Sequence, residues 1–355
     1  MSRYNPIGAA YGRPYGIVCE QEEIVMSTNA IRWAIMGTGY IANRFARGMM
    51  QVKDATLCAV VSRDEARGRA FAGKYGGGAA YTDLNLMLLE ESPDVLYIGT
   101  PNDCHYAAIV AALNAGVNVL SEKPMVDNRR QWNEVTALAR EKDLFLMEGM
   151  WTRCFPAVRR VRQWIAEGRI GKPLTVRAFF EMHANPDDWQ WWKAGIAHAG
   201  GALRDVGIYS LAMADMAFGR MPVKSYSAME SNGEVDQSFH MLLDYGDGQH
   251  AFVGGAFNQD GNTEVEISGE KGSIRIGPEF WDPTTATFIG HDGSRETFEQ
   301  PYPATGFQYE IEAVQACLRA GEKQCPYYTW ADSARVTDMI EAARKEQGIV
   351  YEADR

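Results

Sequence analysis

Cysteine and histidine are scarce in this chain and are scattered along it. None of the six cysteines stands in a Cys-x-x-Cys pair, and the six histidines form no cluster with the spacing of a zinc site. We therefore expect no metal. Scattered thiols without a disulfide framework are typical of a reducing compartment, so we expect a cytoplasmic protein.

Positive charge and long apolar runs are also lacking. The 35 lysines and arginines are outnumbered by 46 aspartates and glutamates, which gives a net charge of -11. Such a chain repels a nucleic-acid backbone, so we expect no nucleic-acid partner. No apolar run approaches the roughly 18 residues that a membrane span needs, so we expect no membrane partner.

The 355 residues are enough for about two domains. Residues 1–29 differ from the rest, because they are rich in glycine, proline and tyrosine and lack the apolar stretch of a signal peptide. We expect a disordered leader there. The alternative is an arm that wraps around a partner subunit.

Between residues 30 and 150, short apolar runs alternate with helical patterns. We predict strands at 31–36, 56–61, 94–99, 117–120 and 144–147. This alternation favours an α/β domain with a doubly wound parallel sheet, in which all strands end at one edge.

The order of predicted strands and helices changes after residue 150. Strand patterns at 174–182, 223–229, 237–245, 249–257, 263–267 and 273–276 follow a helix at 156–168, and helices at 309–320 and 331–346 close the chain. No helical pattern separates the last four strands. We therefore predict an α+β domain at 151–355 with a large, mainly antiparallel sheet.

A glycine-rich loop connects the first predicted strand to a helix. In this context a Gly-x-Gly-x-x-Ala pattern favours a dinucleotide site, since the turn lets the pyrophosphate approach the helix N-terminus. A purely structural turn is the alternative. The candidate cofactor-binding residues of the loop are Gly37, Thr38, Gly39, Tyr40, Ile41 and Ala42.

The end of the second strand decides between NADP and NAD. Ser62 and Arg63 stand there, and an arginine can pair with the 2′-phosphate of NADP. The alternative is that Asp64 binds the ribose of NAD and Arg63 is solvated. We favour NADP.

Two further strands end at the same edge. Thr100, Pro101 and Asn102 follow one strand and are expected to line the cofactor site, with His105 either beside them or in the core. Glu122 and Lys123 follow the other. A lysine there can stabilise a developing alkoxide; alternatively it is a surface lysine paired with Glu122.

The second domain carries two further candidates, Asp205 and Tyr209. Their i, i+4 spacing places both on one face of a helix, where an acid and a phenol can reach one substrate. A nearby lysine would lower the pKa of the phenol. The alternative is an ordinary core helix.

Three residues in or just before a tryptophan-rich stretch are candidates for contact with the substrate. His183 and Asn185 end the first strand of the second domain, and Trp192 belongs to the cluster Trp189, Trp191 and Trp192. A tryptophan can stack on a sugar or aromatic ring, but it can equally pack domains or subunits together.

These landmarks, in this order, resemble the Gfo/Idh/MocA oxidoreductase family over about residues 30–350. The resemblance rests on the glycine loop, on Thr100-Pro101-Asn102, on Glu122-Lys123-Pro124 and on Gly200-Gly201-Ala202 with Asp205. Tyr209, where many members have histidine, and the segment at 148–153 are similar to the branch of dihydrodiol dehydrogenase, xylose dehydrogenase and glucose-fructose oxidoreductase.

The resemblance implies a Rossmann domain that binds NADP or NAD and an enzyme that moves hydride between nicotinamide and a carbinol or carbonyl carbon. The substrate would be a sugar, polyol or cyclic diol. Tyr209 would be the acid/base, Lys123 its partner and Asp205 a substrate or proton-relay ligand, with Trp151 and Arg153 near the nicotinamide. The second sheet would build a homodimer or homotetramer.

Two alternatives stay open at this point. One is a nicotinamide-dependent glycoside hydrolase or epimerase on the same scaffold, and the other is a non-catalytic nucleotide sensor. The stretch 191–199 departs from the family pattern, which leaves the substrate open.

Overall fold

The computed structural model describes residues 30–184 and 195–355. The leader, Asn185 and the tryptophan cluster with Trp192 lie outside these residues. Within the described ranges, no helix is both long and apolar enough to cross a bilayer.

The first half of the chain forms a six-stranded parallel sheet in the order β3-β2-β1-β4-β5-β6. Helices cover both faces, so that β4 is buried at every position. The strands are β1 (Ile31–Met36), β2 (Ala55–Val61), β3 (Ala79–Tyr81), β4 (Val95–Ile98), β5 (Asn118–Glu122) and β6 (Leu146–Gly149).

The helices of this half are α1 (Tyr40–Met49), α2 (Glu65–Lys74), α3 (Leu84–Glu91), α4 (His105–Asn114) and α5 (Arg129–Glu141). The sequence predicted the doubly wound sheet correctly but missed β3 and α3. β3 has only three residues. The N-terminus of α3 is capped by Asp83, whose side chain accepts from the backbone N–H groups of Asn85 and Leu86.

The second half contains an eight-stranded sheet in the order β14-β13-β12-β11-β7-β10-β9-β8. Neighbours are antiparallel except β7 and β10, which run parallel. The strands are β7 (Pro173–Glu181), β8 (Lys224–Ser231), β9 (Asp236–Gly246), β10 (Gln249–Ala256), β11 (Val265–Gly269), β12 (Gly272–Ile276), β13 (Thr285–Gly290) and β14 (Arg295–Glu299). The predicted α+β class is confirmed, although β13 and β14 were missed.

One face of this sheet packs on helices α6 (Pro156–Ala166) and α7 (Ile208–Phe218). Among the described residues the opposite face carries exposed or half-buried side chains, and we call it the open face. The register places one row of side chains across the open face, strand by strand: Tyr226, Leu242, Phe252, Arg177, Glu266 and Arg275. We call this row the open-face row. Its first three members are apolar or aromatic, and its last three form ion pairs.

Two closing helices, α8 (Gln308–Ala320) and α9 (Trp330–Glu346), connect the halves. α9 packs on α5 of the first half and on α7 of the second. The Trp330 Nε1 atom donates to the carbonyl of Leu146 at 2.8 Å, and the Leu146 N–H donates to Lys323 at 3.1 Å. The linker between α8 and α9 and the start of α9 therefore pack on the edge strand of the first sheet, and the division at residue 150 stays a prediction.

Candidate active site

A cavity of about 960 Å³ lies at the carboxyl ends of the parallel strands, between the two sheets. It is the place expected for a ligand in an open α/β sheet, because the strand order reverses between β1 and β4. The cavity lining includes these predicted site residues: Gly37, Thr38, Gly39, Tyr40, Ile41, Ser62, Arg63, Thr100, Pro101, Asn102, Glu122, Lys123, Trp151, Asp205 and Tyr209.

The glycine loop fits a dinucleotide. Gly37 has φ +107°, and a Cβ there would lie 2.5 Å from the carbonyl oxygen of Gly99, so only glycine fits without strain. Gly39 directly precedes α1 as its N-cap and provides no side-chain cap, which leaves backbone N–H groups available for a phosphate. Ala42 does not line the cavity; it is buried in the core beneath the loop.

The far end of the cavity contains Arg63, Asp64 and Arg67. Asp64 caps α2, since its Oδ1 atom accepts from the backbone N–H of Arg67 at 3.0 Å. One carboxylate oxygen is therefore engaged within the protein, whereas Arg63 faces the cavity.

His105 is a core residue rather than a cavity residue. Its Nδ1 atom lies 2.9 Å from the carbonyl oxygen of Pro124 and its Nε2 atom 2.9 Å from that of Thr100. Complete burial lowers its pKa, against the effect of these two carbonyls. The ring thus joins the two loops that carry Asn102 and Lys123.

Lys123 is a buried residue paired across the cleft. Its Nζ atom donates to the Oδ1 atom of Asp205 at 2.8 Å and to the backbone carbonyl of Asp205 at 2.6 Å. Glu122 instead accepts from the hydroxyl of Tyr97 at 2.8 Å. Burial is the largest influence and would lower the pKa of Lys123, but Asp205, Tyr209 and Glu122 together outweigh it, so the pKa is raised. The ammonium therefore stays charged.

Tyr209 lies beside this pair. The ammonium of Lys123 is 5.0 Å from the centre of the Tyr209 ring, and the Trp151 Nε1 atom donates to the Tyr209 hydroxyl at 3.0 Å. Burial raises the pKa of Tyr209 to about 12, although Lys123 and Trp151 both act to lower it. The expectation of a depressed pKa is wrong for the protein alone, because burial is the larger effect.

Asp205 stands in a π-helical turn, Leu203–Gly207, and α7 begins only at Ile208. The single α-helix expected from the i, i+4 spacing is therefore interrupted. The Leu203 N–H donates to the carboxylate of Asp236 at 2.6 Å, which holds the start of the turn. Turns of this kind are frequent at functional sites.

The remaining wall of the cavity is aromatic. Phe180 and Trp281 stack with ring centres 3.6 Å apart and an angle of 6° between their planes, and both line the cavity with Met182. Sequence reasoning missed all three. Phe180 and Met182 lie near the end of the strand predicted at 174–182, and this position was the only sequence signal for their place in the site. No motif surrounds Trp281.

Besides Ala42 and His105, two further predicted residues lie outside the cavity lining. Arg153 is buried away from the cavity, where its guanidinium donates to the carbonyl of Ala212 at 2.9 Å and lies over the ring of Tyr328. His183 is exposed, and its backbone N–H donates to Asp260 at 2.8 Å. Neither lines the cavity.

Metal ligands do not gather in the described parts of the chain: no group of three or more histidine, cysteine or acidic side chains there could hold an ion. The polar atoms around the cavity suit a dinucleotide better. The buried hydroxyl of Thr100, which has no hydrogen-bond partner among the described residues, is available to such a ligand.

Two family profiles match this architecture. Residues 31–150 match the profile described as "Oxidoreductase family, NAD-binding Rossmann fold", and residues 158–275 match the "GFO/IDH/MocA C-terminal domain". The class is thus that of the NAD(P)-dependent oxidoreductases that act on hydroxyl or carbonyl groups. Within it, the chain belongs to the GFO/IDH/MocA family, as the sequence motifs predicted.

Known relatives extend over nearly the whole chain. Trans-1,2-dihydrobenzene-1,2-diol dehydrogenase of Bos taurus is 33% identical over 345 residues, covering 92% of this chain and 99% of the relative. The enzyme of the same name from Homo sapiens is 33% identical over 341 residues, with coverage of 92% and 99%.

Solved structures share the fold. A 3-ketoreductase from Actinomadura kijaniata, in complex with NADP and TDP-benzene, has a TM-score of 0.76 and 26% identity, covering 89% of this chain and 98% of that one. An aldose-aldose oxidoreductase from Caulobacter crescentus has a TM-score of 0.79 at 24% identity, with coverage of 90% and 98%.

Proposed function

We propose that this enzyme moves hydride between NADP and a carbinol carbon of a sugar, polyol or cyclic diol, with Tyr209 as the acid/base. The observation that carries the proposal is the grouping of Trp151, Tyr209, Lys123 and Asp205 on one wall of the cavity. When bound, a nicotinamide supplies the hydride chemistry at its C4 atom.

The roles of the side chains follow from their contacts. In the oxidation direction Tyr209 takes the proton of the substrate hydroxyl. The resulting phenolate is stabilised by the ammonium of Lys123 and by the indole N–H of Trp151. Asp205 anchors that ammonium and faces the same cavity, where it can also orient the substrate hydroxyl.

The charges at the far end of the cavity support NADP over NAD. Arg63 and Arg67 both line it, and a 2′-phosphate pairs well with guanidinium groups. Asp64 already accepts a hydrogen bond as the cap of α2, which makes it a poorer ribose ligand. A relative of the same fold was solved with NADP.

The aromatic wall supports a substrate with a flat apolar face and adjacent hydroxyls. Phe180, Trp281 and Trp151 offer ring surfaces on which a cyclic diol or a sugar ring can stack. The curated relatives named above are dihydrodiol dehydrogenases. A cyclic trans-diol is therefore the first substrate to test.

The proposal is tested with Tyr209→Phe and Lys123→Ala, assayed on trans-diols, aldoses and cyclic polyols with NADP and NAD in parallel. Because both changes remove transition-state interactions, we expect turnover to fall by roughly 10²-fold or more. Binding of NADPH, followed by its fluorescence, should remain. The matched control is Tyr328→Phe, a buried tyrosine outside the cavity.

Near-normal turnover of Tyr209→Phe on the best substrate would overturn the assignment. Conversion of a substrate without net change in reduced cofactor would favour the glycoside hydrolase or epimerase. Tight nucleotide binding with no turnover across the panel would instead favour the sensor.

We further propose a cytoplasmic homodimer. The five cysteines in the described ranges are free thiols, which suits a reducing compartment. The open-face row combines apolar side chains with charged side chains of both signs, which a self-complementary twofold interface can use.

A further inference from the structure

Residues 351–354, the last turn of the described chain, bind to both segments that carry the Lys123–Asp205 pair. We call them the 351–354 segment. The Tyr351 hydroxyl donates to the carbonyl of Gly200 at 2.7 Å, and Gly200 leads into the π-helical turn of Asp205. The segment lies outside the cavity lining, so it does not contact the substrate itself.

The ring of Tyr351 is enclosed between two guanidinium groups. The Cζ atom of Arg204 lies 4.9 Å from the ring centre and that of Arg344 lies 4.5 Å from it. All three side chains are 1% exposed. In such a dry site cation–π contacts are strong, so the ring holds both arginines in place.

Arg204 connects this ring to the lysine loop. It directly precedes Asp205, and its guanidinium donates to the carbonyl of Val126 at 3.3 Å and to the carboxylate of Asp127 at 2.9 Å. The loop of Val126 and Asp127 follows Lys123. One side chain therefore fixes the distance between the two partners of the ion pair.

Asp354 binds Arg344, the second arginine at the Tyr351 ring. Its carboxylate accepts from Arg344 at 2.5 and 2.8 Å and from the Asn128 side chain at 3.1 Å. Burial would raise the pKa of Asp354, but the hydrogen bonds from Arg344 and from the Tyr351 N–H lower it to about 2. Two buried arginines thus meet two carboxylates, those of Asp127 and Asp354.

We propose that Tyr351 is a positioning residue for catalysis, which sets the place of Asp205 and through it the distance from the Lys123 ammonium to Tyr209. This inference rests on the proposed roles of Lys123 and Tyr209. The physical reason is that Asp205 stands in a π-helical turn, whose start is held by the bond from the Asp205 N–H to the carbonyl of Gly201 at 3.0 Å, next to the Gly200 that Tyr351 binds. The turn is also held from outside, by Asp236 on one side and by Tyr351 and Arg204 on the other.

Tyr351→Phe tests the proposal, because it keeps the ring between the arginines and removes only the bond to Gly200. We expect kcat to fall roughly tenfold, as for a small misplacement of catalytic groups. The midpoint of the pH profile of kcat should move to higher pH, because the ammonium no longer lies close to the phenol. The dissociation constant of NADPH should be unchanged.

Tyr328→Phe is the matched control. Tyr328 is also a buried tyrosine under an arginine, but its hydroxyl has no hydrogen-bond partner among the described residues. Asp354→Asn, which weakens the hold on Arg344 without changing shape, should reproduce the lower kcat and the shifted pH profile. All variants are assayed well below their unfolding midpoints.

The positioning role is wrong if Tyr351→Phe lowers only the unfolding midpoint, with kcat and pH profile equal to those of Tyr328→Phe. That result is distinct from failure of the proposed function, in which Tyr209→Phe itself remains active.

Discussion

The surroundings of Tyr209 shift its pKa in opposite directions. Burial disfavours its phenolate and raises its pKa to about 12, while the Lys123 ammonium and the Trp151 indole N–H favour the phenolate. A group that must give and take a proton needs such a balance, because a phenol that ionised freely would be a poor acid. If Tyr209 has the proposed acid/base role, each contact that favours the phenolate would tune the pH at which the enzyme works.

Trp151→Phe should shift that pH. It removes the 3.0 Å hydrogen bond to the Tyr209 hydroxyl and keeps an aromatic ring in the wall. A hydrogen bond to a charged group is worth about 1.5–3 kcal/mol, so the pKa of Tyr209 should rise by roughly one unit. In the oxidation direction the acid limb of the kcat profile should move to higher pH by that amount.

The same exchange at Trp164 is the control, since that buried indole donates to Glu296 and does not line the cavity. Trp164→Phe should leave the pH profile in place. An unshifted profile in Trp151→Phe would mean that the indole N–H does not stabilise the phenolate.

At the scale of elements, the π-helical turn Leu203–Gly207 depends on the neighbouring strand β9. Asp236 of β9 accepts from the N–H of Leu203, and the ring of Phe239 lies against the backbone of Gly207. Local spacing predicted a regular helix with Asp205 and Tyr209 on one face. The sequence could not reveal the interruption, because its cause lies about thirty residues away along the chain.

Gly207→Ala should disturb this turn. A Cβ at Gly207 would collide with the buried ring of Phe239, and overpacking of this kind costs about 1–3 kcal/mol of unfolding free energy. Because the strain falls between Asp205 and Tyr209, turnover should fall as well. Denaturant unfolding and steady-state kinetics measure the two effects.

The control for this change is Gly73→Ala in α2, where no atom lies within 4 Å of the added Cβ. A helical glycine replaced by alanine should gain about 0.5–1 kcal/mol, with turnover unchanged. If Gly207→Ala behaved in the same way, the close approach of Phe239 would have no importance for the site.

The predictable part of the site follows from strand ends. Gly37, Thr100 and Lys123 each follow a recognisable apolar strand, and parallel topology brings such positions together on one edge. The side chains that the sequence misplaced depend on tertiary packing. Arg153 lies in the core, where it donates to the carbonyl of Ala212. Trp281 lines the cavity but belongs to a segment without any motif.

At the scale of the molecule, the open-face row is the surface that a second copy would cover. Phe252 is 41% exposed and Tyr226 58% exposed, on adjacent parts of one sheet. Phe252→Glu would place two like charges near the twofold axis, so we expect the dimer dissociation constant to rise by roughly tenfold or more. Sedimentation velocity over a range of concentrations measures it.

Leu89→Glu is the control for this prediction, since Leu89 is 79% exposed on α3 of the other half. It should leave the association unchanged. A wild-type protein that sediments as a monomer at all concentrations would contradict the proposed dimer.

The contact of β6 with the linker between α8 and α9 and with the start of α9 has a consequence for synthesis on the ribosome. β6 is the outer strand of the first sheet, and its Leu146 is paired with Lys323 and Trp330. The nucleotide-binding half therefore leaves the ribosome with an unpaired edge, and more than a hundred residues must follow before the chain can cover it. During that interval the nascent chain exposes a strand edge on which another chain can pair, and such an edge favours aggregation.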